Sequence, residues 1–155
     1  NDLLLPATPP SVRPSHKAAG ILSEIELERD RIVSVVIGIG INVNWAPSGI
    51  VDGRNLAEVA TSLRATAGRT IDRTALLRAL LVRLDARYLA LRQGRREALF
   101  AAWRGRLATL GQAVSVRLPR GTLAGVAEEV EPSGALRVRD ERGVAHTVLA
   151  GDVGG

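Results

Sequence analysis

The sequence predicts an α+β chain in which an antiparallel or mixed sheet packs with helices and a small all-β module follows. Three observations point there. Two β-branched runs near the start have the length and alternation of paired strands. The middle repeats its leucines at helical spacing. After Gly111 the register changes to short strands divided by turn signals. The division falls near Leu110, giving a first domain over 1–110 and a second over 111–155.

Asn1 to Leu5 starts polar and becomes apolar, as a strand entering a core does. Pro6 to His16 holds four prolines in a polar stretch and reads as an exposed loop. From Lys17 to Leu27 the chain alternates, with Ile21, Ser23, Ile25 and Leu27 on one strand face and Leu22, Glu24 and Glu26 on the other. Glu28 to Arg31 is a turn, and Ile32 to Asn44 returns as a buried strand, so the two form an antiparallel hairpin. A loop around Pro47 to Gly53 leads to a helix over 55–67 that Gly68 closes. Asp72 caps a long helix reaching Gln93, with Leu76, Leu77, Leu80, Leu84, Tyr88 and Leu91 as its inward stripe. A further helix from Arg95 to Leu110 sets Leu99, Trp103 and Leu107 four residues apart, as core contacts. AVSVRL, TLAGVAEEV, ALRVR and VAHTVL then form a meander separated by PRG, EPSG and DERG, a small antiparallel barrel.

Composition narrows the chemistry. With 155 residues, 46% hydrophobic and 24% charged, the chain has the make-up of a folded globular protein. Cysteine is absent, which removes disulfides, thiolate metal sites and a cysteine nucleophile together. Only His16 and His146 are histidines, too few for a histidine cage, and neither is assigned chemistry. A net charge of +5 is compatible with acidic partners without requiring them. Trp45, Trp103, Tyr88 and Phe100 stand too far apart to make a stacking row for single-stranded nucleic acid. No apolar run reaches the length of a membrane span, and no signal-peptide pattern opens the chain.

One residue stands out. Of 21 basic residues, Lys17 is the single lysine and all others are arginine. Either codon bias toward arginine left one lysine over, or this position needs an ammonium, a compact point charge that a planar guanidinium does not replace. GIGIN at Gly38 to Asn42 lacks the third glycine of a dinucleotide loop, and no P-loop pattern occurs. Two glycines inside a β-branched strand mark either a bulge or tight packing contact or a place where a ligand approaches the backbone, and Gly20 can join them from the paired strand. An ammonium beside such a floor suits a flat ligand with an anionic group, where it would neutralise charge developing in acyl or phosphoryl transfer. Asp2 offers a carboxylate to orient Lys17 or to hold a magnesium-bound phosphate.

NDLLL at Asn1 to Leu5, KAAGIL at Lys17 to Leu22 and IGIGINVN at Ile37 to Asn44 resemble, in order and spacing, three successive motifs of the biotin protein ligases, also called biotin–[acetyl-CoA-carboxylase] ligases. WRGRLATLG and the closing module with GDV at Gly151 to Val153 are similar too, so the resemblance covers essentially the whole chain. It implies a partial class II synthetase-like catalytic domain followed by an SH3-like domain that supports nucleotide or carrier-protein binding. It further implies ATP-dependent formation of biotinyl-5′-adenylate, with magnesium, and transfer of the biotinyl group to a lysine of the biotin carboxyl carrier domain of an acetyl-CoA carboxylase. By position, Lys17 would contact the biotin carboxylate and the α-phosphate, and Gly20, Gly38 and Gly40 would line the cleft. Asn42 would bind the nucleotide, and Asn1 and Asp2 would form part of the same polar wall.

The chain departs from that family at its start. It opens on Asn1 without the tryptophan and proline that precede this motif, without the arginine- and glycine-rich loop that closes over the ligands, and without a DNA-binding helix-turn-helix. The expectation is a C-terminal portion of a ligase, cytoplasmic, with an exposed sheet edge open to homodimerisation and weak catalysis on its own. Two other readings stay open: a non-catalytic module that binds carrier protein or nucleotide, and a related lipoate ligase.

Overall fold

The computed structural model describes residues 2–6, 15–119, 121–149 and 151–154. The chain divides into two compact units, Asn1–Leu81 and Val82–Gly155. Both follow the α+β class: antiparallel sheets with a few helices.

In the first unit, β1 (Asp2–Pro6), β2 (Ser15–Glu28) and β3 (Arg31–Ile41) form an antiparallel sheet in the order β1-β2-β3. The β2–β3 hairpin turns at Arg29 and Asp30, with Arg29 at a φ of 55°. Strand β2 starts sooner than the proline-rich reading allows: His16 pairs with Leu5 and is buried, so it is a strand residue and not a solvated loop histidine. Strand β3 stops at Ile41 rather than Asn44, because the side chains of Asn42 and Asn44 bond to segments outside the sheet. The outer hairpin is bare on both faces, with Leu22, Ile25, Val36 and Ile37 all more than half exposed.

A two-residue hairpin, β4 (Ile50–Val51) and β5 (Arg54–Asn55), turns through Asp52 and Gly53, both at positive φ, as Asp-Gly favours. The helix expected over 55–67 is instead two pieces, α1 (Leu56–Val59) and α2 (Leu63–Ala67). The break at 60–62 exists because that segment turns into the sheet: Ala60 forms a parallel bridge with Lys17, and the Thr61 amide donates to the Lys17 carbonyl at 2.9 Å. Ser62 and Gly68 cap α2 as their types predict.

Helix α3 (Arg73–Arg92) starts where Asp72 accepts from the Thr74 and Ala75 amides at 2.8 and 3.1 Å. Of its expected inward stripe, Leu76 and Leu80 are half-buried, while Leu77, Leu84, Tyr88 and Leu91 lie about half exposed. In α4 (Arg96–Arg104), Leu99 is half-buried, but Trp103 is also about half exposed, its ring 5.7 Å from that of Phe100 and not in a core. Among the described residues no helix is long and apolar enough to cross a membrane.

The second unit carries β6 (Ala113–Leu118), β7 (Gly121–Val130), β8 (Leu136–Arg139), β9 (Ala145–Val148) and β10 (Asp152–Gly154), the SH3-like meander, in the order β10-β6-β7-β8-β9. Alternation buries Val114, Val116, Ala127 and Val138 on one face, with Leu118, Leu123, Leu136 and Val148 around them. On the other face Glu128 is an extra residue in β7, which sets two successive carboxylates against two arginines. Arg139 grips Glu128 through both nitrogens, at 2.6 and 3.0 Å, and Arg137 reaches Glu129 at 2.7 Å. The hydrogen bond from Arg139 holds the Glu128 carboxyl below the ordinary glutamate range.

Gly125 is where β7 and β8 come closest. A Cβ there would collide with the Arg139 carbonyl oxygen and stand 2.8 Å from Val138 Cγ1. Gly125→Ala is expected to destabilise the protein by roughly 1–3 kcal/mol, the usual cost of overpacking, read from the midpoint of urea unfolding.

Candidate functional site

The sheet of the first unit gathers the residues singled out in the sequence by an irregularity. Asp2 pairs with Gly20 and Leu3 with Ala19, but Leu4 pairs with Lys17, so Ala18 is an extra residue in β2. In an even ladder Lys17 and Gly20, three positions apart, would face opposite ways. The bulge reverses that parity: Asp2 and Leu4 share a face of β1, so their partners Gly20 and Lys17 share it too. Gly20 in turn pairs with Gly40, and Leu22 with Gly38. One face therefore carries Asp2, Lys17, Gly20, Gly38 and Gly40. Asn1 lies outside the described residues.

Lys17 Nζ meets Asp2 Oδ1 at 2.8 Å, both side chains being 49% exposed. The three glycines do different work. A Cβ on Gly20 would stand 3.4 Å from Lys17 Cε and 3.5 Å from Nζ, ordinary van der Waals contact, so the lysine side chain lies directly over Gly20. A Cβ on Gly40 would meet nothing within 4 Å, and one on Gly38 only the Leu22 carbonyl at 3.9 Å. Both leave backbone open to a ligand from above.

Three segments meet behind Lys17. Ala18 and Ser62 are fully buried, and Ala19 and Thr61 nearly so. The Asn42 amide N–H donates to the Ala18 carbonyl at 2.8 Å, and Asn42 Nδ2 donates to the Thr61 carbonyl at 3.1 Å. Asn42 O accepts from the Leu63 amide at 2.9 Å. Thus the residue singled out as a nucleotide contact is also a structural hub. Asn44 acts as a clamp: its Nδ2 donates to the Ile71 carbonyl and its Oδ1 accepts from the Ile71 amide, each at 2.9 Å. Thr61 and Ser62 were not found from the sequence, where they lay inside a continuous helical pattern. The only signal was Ser62 one position before a leucine, a possible cap inside that run.

A cavity of about 360 Å³ opens on the other face of β3, lined by Ile39, Ile41, Trp45, Arg73, Leu76 and Leu80. Because Ile39 and Ile41 alternate with Gly38 and Gly40, this cavity and the glycine floor are on opposite faces. Among the described residues no group of three or more histidines and carboxylates is placed to hold a metal ion. Asp2 is the carboxylate beside Lys17, a donor set that suits a magnesium ion already carried on phosphate oxygens rather than a resident ion. His146, in the second unit, contacts Asp140 at 2.9 Å, and that contact is the main cause holding the Asp140 carboxyl below the ordinary aspartate range.

Asn44→Ala is expected to cost about 1–3 kcal/mol, since it leaves the Ile71 amide and carbonyl without partners, and chemical denaturation measures it. A depressed carboxyl stabilises the fold above its unfolded pKa and loses that contribution as pH falls through the folded value. Acidification from pH 5 to pH 2 should therefore weaken the wild type more than Asp140→Asn, as thermal melts at each pH will record.

Residues 109–153 match the family described as the biotin protein ligase C terminal domain. Over 128 residues the chain is 34% identical to the bifunctional ligase/repressor BirA of Bacillus subtilis, a match covering 83% of this chain and 39% of that protein. The BirA of Bacillus spizizenii is 32% identical over the same shares. The chain thus spans 39% of the length of these relatives. In fold it is similar to the crystal structure of a biotin protein ligase from Aquifex aeolicus, with a TM-score of 0.69 and 24% identity over 90% of this chain and 58% of that one. The structure of the Aquifex aeolicus ligase in complex with biotin and ATP gives a TM-score of 0.68, again at 24% identity, over 90% of this chain and 55% of that one.

Proposed function

The chain is a relative of the biotin protein ligases, matching their C-terminal portion, and on that premise we propose that it serves ATP-dependent activation of biotin and transfer of the biotinyl group to a carrier lysine. One observation carries the reading: the single ammonium of the chain stands on the same sheet face as three glycines and is paired with Asp2.

In the first step the biotin carboxylate attacks the α-phosphorus of ATP, the bond to the pyrophosphate oxygen breaks, and pyrophosphate leaves. Negative charge gathers where carboxylate and α-phosphate meet, and a fixed ammonium there lowers that barrier more than it aids ground-state binding. Lys17 supplies this charge. Asp2, on Nζ at 2.8 Å, orients it. The open backbone at Gly38 and Gly40 receives the flat part of the ligand, and Lys17 lies over Gly20. Asn42 has its Nδ2 committed to Thr61, which leaves Oδ1 to accept from the nucleotide base. Magnesium, arriving on the ATP phosphates, would add positive charge there with Asp2 as its one protein carboxylate. In the second step a carrier-lysine amine attacks the acyl carbonyl, the bond to the phosphate oxygen breaks, and AMP leaves as the amine loses its proton. The acceptor is a biotin carboxyl carrier domain of an acetyl-CoA carboxylase, and the reaction is cytoplasmic. The functional division follows 1–110 for activation and 111–155, the part matching the family domain, for nucleotide or carrier contact.

Biotin-dependent exchange of labelled pyrophosphate into ATP, measured with the gene product that carries this sequence, tests the reading. Lys17→Ala should lower exchange by about 100-fold or more with unchanged unfolding midpoint, the scale of losing one electrostatic stabiliser. Lys17→Arg should recover only part of it, since a planar guanidinium fork does not replace a compact ammonium point charge. Full exchange in either variant would sink the assignment of Lys17. Binding of biotin and ATP without exchange would favour the binding module, and exchange with lipoate in place of biotin would favour the lipoate ligase.

A further inference from the structure

The ion pair with Asp2 does not by itself explain where the ammonium is. Both side chains are 49% exposed, and such pairs contribute little and are screened by salt. What places Lys17 on the glycine face is the extra residue Ala18, since parity alone would send it to the other side. On the side away from β1, Asn42 continues the β2–β3 register past the Ala19–Ile41 pair, and its amide N–H takes the Ala18 carbonyl at 2.8 Å. Its side chain takes the Thr61 carbonyl at 3.1 Å, and the Thr61 amide takes the Lys17 carbonyl at 2.9 Å.

We propose that Asn42 is a positioning residue for the ammonium: it braces the Ala18 bulge directly through its main chain and indirectly through Thr61, and so keeps Lys17 on the glycine face. The main-chain brace survives any substitution but proline, whereas the side-chain brace does not. A donor is required, because the Thr61 carbonyl is an acceptor in a nearly closed environment. An ionised aspartate is close in size and has no donor, so it breaks the brace with little change in volume. The usefulness of the position for catalysis rests on the ligase reading; the position itself does not.

The chain offers a clean probe, because lysine labelled at Cε and Nζ reports one side chain. In wild type without ligand, nuclear Overhauser contacts should join Lys17 Cε protons to the Gly20 α-protons, and the Thr61 amide should exchange as slowly as the β2–β3 ladder. In Asn42→Asp the Lys17 to Gly20 contact should be lost and Thr61 exchange should rise by about tenfold or more, the effect of one hydrogen bond. Asn44→Ala, which cuts a clamp two residues away, should lower stability and retain the contact. The proposal is overturned if Asn42→Asp keeps the contact, or if Asn44→Ala loses it equally. Should Asn42→Asp fail to fold, wild type alone decides: Thr61 exchanging as fast as the exposed Gly49 amide refutes the brace, and slow exchange with the Lys17 to Gly20 contact present supports it. No biotin or ATP is added, so this outcome is independent of whether the protein proves to be a ligase.

Discussion

A single inserted residue organises the candidate site. Ala18 has no partner across from it on β1, and this shifts Lys17 from the face its spacing dictates to the face of Gly20, Gly38 and Gly40. The Ala18 carbonyl is taken by Asn42, the neighbouring Lys17 carbonyl by Thr61, and the Thr61 carbonyl by Asn42 again. The helical stretch after β5 breaks into two because its middle must turn inward to supply Thr61. Local helical preference loses there to the cost of leaving strand carbonyls without donors in a buried place.

That competition explains what was legible in the sequence and what was not. Alternation and turn residues gave β1, β2 and β3 of the first unit, with β2 beginning sooner and β3 ending sooner than expected. They also gave the four longer strands of the second nearly to the residue, while the short β4, β5 and β10 were not anticipated. The candidate residues Asp2, Lys17, Gly20, Gly38 and Gly40 were legible as types and do share a face. The reason they share it was not legible, because a bulge at alanine leaves no compositional mark: alanine fits the ladder and the insertion equally well. The same holds for Thr61 and Ser62, whose apolar flanks keep a helical period that only their hydrogen bonds contradict. The α3 stripe misled for a different reason. Periodicity states which residues share a face, and not how much of that face is covered, so Leu77 and Leu84 lie about half exposed.

The second unit uses the same device to another end. Glu128 is an extra residue in β7, and the insertion sets it beside Glu129 on the outer face, where Arg137 and Arg139 answer from β8. Here the bulge concentrates charge that is then neutralised within the same sheet. On β2 the bulge delivers one positive charge, which among the described residues is paired with Asp2 on the neighbouring strand. One irregularity thus gathers two charges of each sign and the other one of each, half exposed beside the glycine floor.

The pair on β2 lies beside open backbone, and the glycines show how. Lys17 lies along Gly20, at ordinary van der Waals distance from where a Cβ would stand, whereas the Cβ position of Gly40 is open to 4 Å and beyond. The two positions therefore divide the floor into a part that the ammonium lies over and a part with nothing above it among the described residues. Because the ion pair is half in water, its own energy is small, and its value to a reaction depends on the ligand displacing that water. On the reading proposed above, the bulge fixes the face that Lys17 occupies, so the ammonium stays on the glycine side while Asp2 and solvent exchange around it and is there when an anionic ligand arrives.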